Sequence, residues 1–342
     1  MFETLPLFEE PASSFRQDLK QLLERFARHQ IFIGTSSWKY EGWLGQIYSP
    51  ERYWVRGRYS RKRFEQECLR EYAETFPVVC GDFAFYQFPP SEFWTRLFDS
   101  VPPPLQFSFK IPEEITAPVF PHHPRYGARS GSVNPNFLDW ALLQDAFLQP
   151  LERFRTRIPV LIFEFGSALG KTFAPSEFAG VLSELLRRLP SSFRYAVEIR
   201  NPELLAHAEY LALLKQYRVA HVFNAWSRMP DLREQIEALG VLTTDLTVVR
   251  ALLKKGRTYE QAVPRFSPYR EVQDPDVTTR QAIRDIVVRC IRRGEPAYIY
   301  VNNRLEGNAP VTIHEILTDL PVDLPIGERG ENDSVVSSAT QS

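Results

Sequence analysis

A chain of 342 residues that is 44% hydrophobic and 24% charged can bury a large core and has the make-up of a soluble globular protein. Its formal net charge of −1 supplies no global pull toward nucleic acid or membrane, so any binding field is local. The three cysteines (Cys68, Cys80, Cys290) are scattered and form no CxxC, which argues against a disulfide framework or structural zinc and suits a reducing, cytoplasmic setting.

Along the chain, residues 1–13 read as an extended arm with no signal-peptide character. Helical apolar spacing follows at Phe15, Leu19, Leu22, Leu23 and Phe26. Eight apolar or β-branched runs then predict strands over Ile31–Ser36, Val78–Tyr86, Gln106–Lys110, Val160–Phe165, Arg194–Arg200, Ala220–Asn224, Thr247–Leu252 and Ala297–Asn302. Helical stretches separate most of them, at 62–75, 91–99, 136–154, 176–189, 203–217, 231–239 and 277–293, with a last helix after Pro310. Eight strands alternating with helices predict an α/β fold, a (β/α)8 TIM barrel with an N-terminal helix and long βα loops over residues 14–326. The stretch 253–276 is long for one loop and predicts a lid or binding excursion. Residues 327–342, rich in Gly, Ser, Asn and Asp, predict a disordered tail. No apolar run approaches the roughly 18 residues of a membrane span.

Alternation along a strand decides which side chains enter the barrel. In Tyr195-Ala-Val-Glu-Ile-Arg200 the bulky apolar residues are odd-numbered, which leaves Ala196, Glu198 and Arg200 on the inner face. The same reasoning turns Ser108, Lys110, Val248, Arg250, Tyr298, Tyr300 and Asn302 inward. Glu164 ends the fourth strand and Asp82 lies in the second half of the second. Polar inward residues thus gather at the C-terminal strand ends, where barrel enzymes carry their active sites.

Gly34-Thr-Ser-Ser-Trp-Lys-Tyr40 with Gly42-Trp43 resembles the opening G-T-S-G-W-x-Y-x-x-W block of the YecE-like proteins, the DUF72 family. Phe85-Tyr86 with Pro89, Phe107–Lys110 with Ile115-Thr116, Tyr195–Arg200 with Pro202, and Asn302-Asn303 with Glu306, Gly307 and Ala309-Pro310 are similar to its later blocks. The resemblance covers about residues 31–318 and implies a (β/α)8 barrel with a pocket but no established reaction. The chain also departs from the pattern. Cys80-Gly-Asp-Phe-Ala-Phe-Tyr86 replaces E-I-N-S-T-F-Y, Glu164-Phe-Gly-Ser167 replaces Q-L-P-P, and Arg250-Ala-Leu-Leu253 replaces R-x-H-G. A divergent branch is implied, with chemistry altered or partly lost.

Glu198 and Arg200 can present an acid and a cation to one ligand, or pair with each other across the mouth. Arg250 leads into Lys254, Lys255, Gly256 and Arg257, in a loop where barrels often hold phosphate; a solvated basic turn is the plainer reading of those last cations. Lys110 is an electrostatic clamp, or an amine nucleophile if burial lowers its pKa. Glu198, Glu164 and Lys110 are therefore the catalytic candidates. Arg200, Arg250, Asn302, Asn303, Tyr86, Tyr40, Trp38, Asp82 and Glu306 are the substrate-binding ones. No cofactor is evident, although Asp82, Glu164 and Glu198 suit a divalent ion such as magnesium. No zinc site is expected: His122 and His123 fall in the loop after the third strand, away from the strand ends. Trp43 and Trp226 are as well explained by packing as by stacking on a ring, and His221 reads as a packed strand residue.

The expected function is an enzyme, a hydrolase or lyase, acting on a small anionic ligand bearing phosphate or carboxylate, with nucleic acid left open as substrate. The alternative is a non-catalytic ligand- or partner-binding barrel. Thr4-Leu-Pro-Leu-Phe8 resembles the Q-L-x-L-F peptides that dock on the bacterial sliding clamp, without the glutamine; an arm folding back on the barrel is the plainer reading.

Overall fold

The computed structural model describes residues 11–239, 243–318, 320–322 and 324. The clamp-like peptide at 4–8 and the tail at 327–342 lie outside the described residues. Helix α1 spans Pro11–Ala27, beginning inside the stretch expected to be an arm, at a proline whose fixed φ suits a first helical turn. Its Leu19, Leu23 and Phe26 are buried against the body of the protein.

Eight parallel strands close into a barrel: β1 (Ile31–Thr35), β2 (Val78–Gly81), β3 (Gln106–Lys110), β4 (Leu161–Phe165), β5 (Tyr195–Ile199), β6 (Ala220–Ala225), β7 (Thr247–Ala251) and β8 (Ala297–Val301). Each strand pairs with its sequence neighbours, and β1 closes the ring against β8 along five residues. The seam between β1 and β2 is narrow, because a Cβ on Gly34 would sit 1.8 Å from the Val78 carbonyl oxygen.

The alternation holds. Phe32, Val78, Cys80, Ile162, Ala196, Val222, Val248, Tyr298 and Tyr300 form an interior apolar plug, separate from the larger core between barrel and helices. Ser108 and Tyr300 bridge that plug with a 2.5 Å hydrogen bond. Above it, register places Arg250 beside Asn224 and Tyr300, and Glu164 beside Glu198.

Three elements differ from expectation. The second strand stops at Gly81, not Tyr86: Asp82 takes helical dihedrals and Phe83–Tyr86 forms a 3-10 turn, so Asp82 lies just past the strand. The helix expected over 136–154 starts at Trp140, capped by Asp139, and widens to a π turn over Gln144–Leu148 ahead of Pro150. A proline ring crowds the carbonyl four residues back, which such widening relieves. The helix expected over 203–217 breaks at extended His207 into Pro202–Leu205 and Ala208–Tyr217.

Candidate functional site

Six charges from the ends of four strands (β3, β4, β5 and β7) and the turn after β2 meet at the barrel mouth. Lys110 Nζ lies 3.3 Å from both Asp82 Oδ1 and Glu164 Oε2. Arg200 reaches Glu164 at 2.8 Å and Glu198 at 3.3 Å. Arg250 reaches Glu164 at 2.6 Å and Asp82 at 3.5 Å, and also bonds Glu198. Three cations thus meet three acids with no net formal charge. Glu198, Arg250, Lys110 and Glu164 are all buried.

Burial opposes ionisation of Glu164, but Arg200, Lys110 and Arg250 outweigh it and hold its carboxyl well below the usual carboxylate range. Burial likewise works against the Lys110 charge, and Asp82 and Glu164 more than restore it, raising the pKa above the ordinary lysine value. That direction, with both neighbouring carboxylates on its ammonium, speaks against the amine-nucleophile alternative, which requires a lowered pKa. Lys110 instead places its ammonium 3.8 Å from the Phe85 ring centroid. Burial disfavours charged Arg250, yet Glu198 and Glu164 keep its pKa well above the ordinary value.

Beside this cluster opens a cavity of about 260 Å³, lined by Glu164 and Arg200 from the mouth and by Tyr86, Glu113, His123, Arg125 and Tyr126. The loop 117–139 forms its roof. Asn134 Nδ2 fastens that loop to the carbonyls of Glu114 and Ala117, each at 2.7 Å. Arg125 stacks 4.0 Å from the Tyr86 ring centroid, and the Tyr126 hydroxyl donates to Glu113. The loop therefore carries His123 to the mouth, contrary to the distant position inferred from its place in the chain.

Glu113 was missed in the sequence. It opens a one-turn helix, Glu113–Thr116, directly after Pro112. Burial, and then the nearby Glu164 charge, push its carboxyl up to about 7. An acid immediately past the third strand was the available signal, but its surroundings come from a loop that strand alternation does not address.

The other expected residues separate into two groups. Tyr86 is more than half exposed and lines the cavity. Arg200 reaches it too, stacked 3.8 Å from the centroid of Trp226. The remainder have protein partners. Asn302 caps the turn after β8 by accepting from the Arg304 amide at 2.9 Å, and Asn303 accepts from the Ala309 amide at 2.7 Å. Glu306, expected to bind substrate, is fully buried. It accepts from Arg280 at 2.6 and 2.7 Å and from Thr312 at 2.7 Å, so it ties helices together instead. Tyr40 packs on Trp43 and Tyr269, with burial raising its phenol to about 12. Trp38 is buried, edge-on to Phe83. Trp43 is fully buried, and His221 packs behind its strand, bonded to Tyr210 at 2.9 Å.

The excursion at 253–276 contains a helix, Tyr259–Phe266, and four of its cations are ion-paired: Lys254, Arg257 and Arg265 to Asp274, Lys255 to Glu234. The acids at the mouth turn their oxygens onto guanidinium and ammonium groups. Among the described residues, no three acidic, histidine or cysteine side chains meet as a metal site needs. None of the described helices is long and apolar enough to cross a membrane.

The model of the family described as "Protein of unknown function DUF72" matches residues 32–326. The chain belongs to the DUF72 family. One relative is the UPF0759 protein YecE of Escherichia coli K12, 25% identical over 179 residues, and that match spans about half the length of each chain (52%). A DUF72 family protein of Thermotoga maritima superimposes with a TM-score of 0.60 at 19% identity, covering 84% of this chain and 98% of that one. Another, from Enterococcus faecalis, gives 0.56 at 16% identity, with 84% and 96% covered. At these identities the likeness shows the shared fold of DUF72 proteins, a closed eight-stranded barrel.

Proposed function

We propose that this DUF72 protein is a proton-transfer enzyme, a hydrolase or lyase, acting on a small carboxylate- or phosphate-bearing substrate in the cavity roofed by loop 117–139. One observation carries the reading. Glu113 and Glu164 line the same cavity with their pKa values driven apart, the pattern by which one fold supplies both an acid and a fixed negative charge. Glu113 is the proton donor and acceptor, poised near neutral pH. Arg125 and the outward part of Arg200 receive the anion, for which guanidinium is well shaped. Lys110, Arg250 and Glu198 lie behind, fixing Glu164 and Arg200 in place. This reassigns Glu198 and Lys110 from catalysis to positioning.

The mutual neutralisation of the six central charges favours a second reading, a binding barrel without turnover, because little positive field is left to stabilise a developing charge. A screen of phosphate monoesters and small carboxylates separates the two. On the first reading a compound that raises the melting temperature is also turned over, Glu113→Gln lowers kcat at least a hundredfold, and Arg125→Ala raises KM. Stabilisation without turnover, unchanged in Glu113→Gln, selects the second. No compound stabilising wild type more than Arg125→Ala removes both.

A further inference from the structure

On a different surface, between β1 and the helix α2 (Arg61–Tyr72), the chain forms a two-stranded hairpin, Trp54–Val55 with Arg58–Tyr59. Residues 52–63 hold six cations (Arg52, Arg56, Arg58, Arg61, Lys62, Arg63) and no acid, in a protein whose formal net charge is −1. Arg52, Arg61 and Arg63 are engaged by neighbouring glutamates. Arg56, Arg58 and Lys62 make no ion pair among the described residues.

The same hairpin exposes its rings. Trp54 is 53% exposed and Tyr59 37%, and the two are cross-strand partners, hence on one face. Exposed aromatic residues together on a soluble protein mark an interaction surface more often than an accident of composition. The hairpin is held firmly at its base. The Ser60 amide donates to the Tyr53 carbonyl at 2.8 Å, and the Tyr53 hydroxyl donates to buried Glu71 at 2.6 Å. The two turn residues, Arg56 and Gly57, both have positive φ, at 51° and 77°. Such a turn favours Asn-Gly or Gly-Gly, so an arginine at the first position places a cation at the apex against backbone preference.

We infer that this hairpin is a docking surface for single-stranded nucleic acid, with Trp54 and Tyr59 stacking on bases and Arg56, Arg58 and Lys62 following the phosphates. Every base offers a π face, so paired rings between cations bind a strand without reading its sequence. Rings and cations alternating on one short hairpin match the alternation of bases and phosphates along a single strand, and the vesicle arm of the test below separates a lipid surface. The inference is independent of the barrel cavity.

The test uses the full chain and a fluorescein-labelled dT15 oligonucleotide, read by anisotropy and by quenching of tryptophan emission. Three phosphate contacts on a single strand give a log–log salt slope of about −2, so affinity falls roughly twentyfold between 50 and 200 mM NaCl. A Trp54→Ala, Tyr59→Ala double variant weakens binding at least tenfold, and Arg56→Glu with Arg58→Glu weakens it further. All four side chains are exposed, and melting temperatures confirm that the fold survives. No binding at 50 mM salt overturns the inference. So does wild-type affinity in the ring variant, which marks a general polyanion patch, or binding to poly-glutamate or to phosphatidylserine vesicles in preference to dT15.

Discussion

Glu164 and Glu113 line one cavity, and their surroundings drive them in opposite directions. Glu164 lies near the end of β4 and receives three cations from the barrel mouth, so the closed ring itself keeps it ionised. Glu113 lies one step beyond a strand, roofed by a loop and facing Glu164, so the charge it would acquire is unwelcome. Proximity to a cationic cluster does not decide a carboxyl's state. What decides it is the balance between burial, which opposes the charge on both, and the cations that face the carboxyl directly.

The largest effect that can break this contrast comes from removing a central cation. Arg250→Met leaves Glu164 and Glu198 buried with their main shared partner gone, and stability should fall by about 3–5 kcal/mol, as when one member of a buried ion pair is deleted. Urea unfolding at neutral pH measures it. A loss under about 1 kcal/mol would mean that the acids take up protons or water at little expense, and Glu164 would no longer be the fixed charge that the contrast requires.

Next in size is a pH effect confined to Glu113. Its folded pKa, about 7, lies above the ordinary 4.5, so the folded state holds a proton that the unfolded chain releases. That contribution is full below about pH 4.5 and is lost as pH rises through 7. Glu113→Gln cannot lose it. The variant should match wild type in acid and become more stable by about 1–2 kcal/mol at pH 8, a figure reduced from the full linkage value because the group is partly exposed. Glu164 runs the other way, its contribution complete above the unfolded pKa and fading as pH drops toward the folded one. Melting temperatures of both proteins from pH 4 to 8 decide the matter; a difference that stays flat across the range would show Glu113 to be an ordinary carboxyl.

The division between what the sequence revealed and what it concealed follows the same line. Period-two alternation found all eight strands and turned Lys110, Glu198 and Arg250 inward, because inside a closed ring a side chain has only two directions available. It also predicted that they converge, since parallel strands put every C-terminal end on one rim. It said nothing about pairing. Whether Arg250 meets a ligand or Glu164 depends on side-chain reach across the ring, which is a matter of tertiary distance. Glu113 was missed and His123 was placed away from the strand ends for a related reason: their setting is created by loop 117–139 folding back, and loops carry no periodicity. Glu306 misled because it stands beside the strand-end amides in the chain, while its one-turn helix swings it toward Arg280.

The smallest effect asks what the loop is fastened by, and Glu113's own neighbour provides the control. Glu114 receives Arg129 at 2.9 Å and Asn136 at 2.8 Å, while its carbonyl accepts from Asn134. The roof is therefore anchored without Glu113, and Tyr126→Phe should remove one hydrogen bond worth about 0.5–1.5 kcal/mol while the ring stays packed 5.5 Å from Phe120. Hydrogen exchange should quicken only around residues 123–127, whereas Asn134→Ala, which unties two carbonyls at once, should quicken the whole of 117–139. If Tyr126→Phe alone releases the entire loop, Glu113 is the roof's fastening, and its raised pKa serves closure of the cavity and not the transfer of a proton within it.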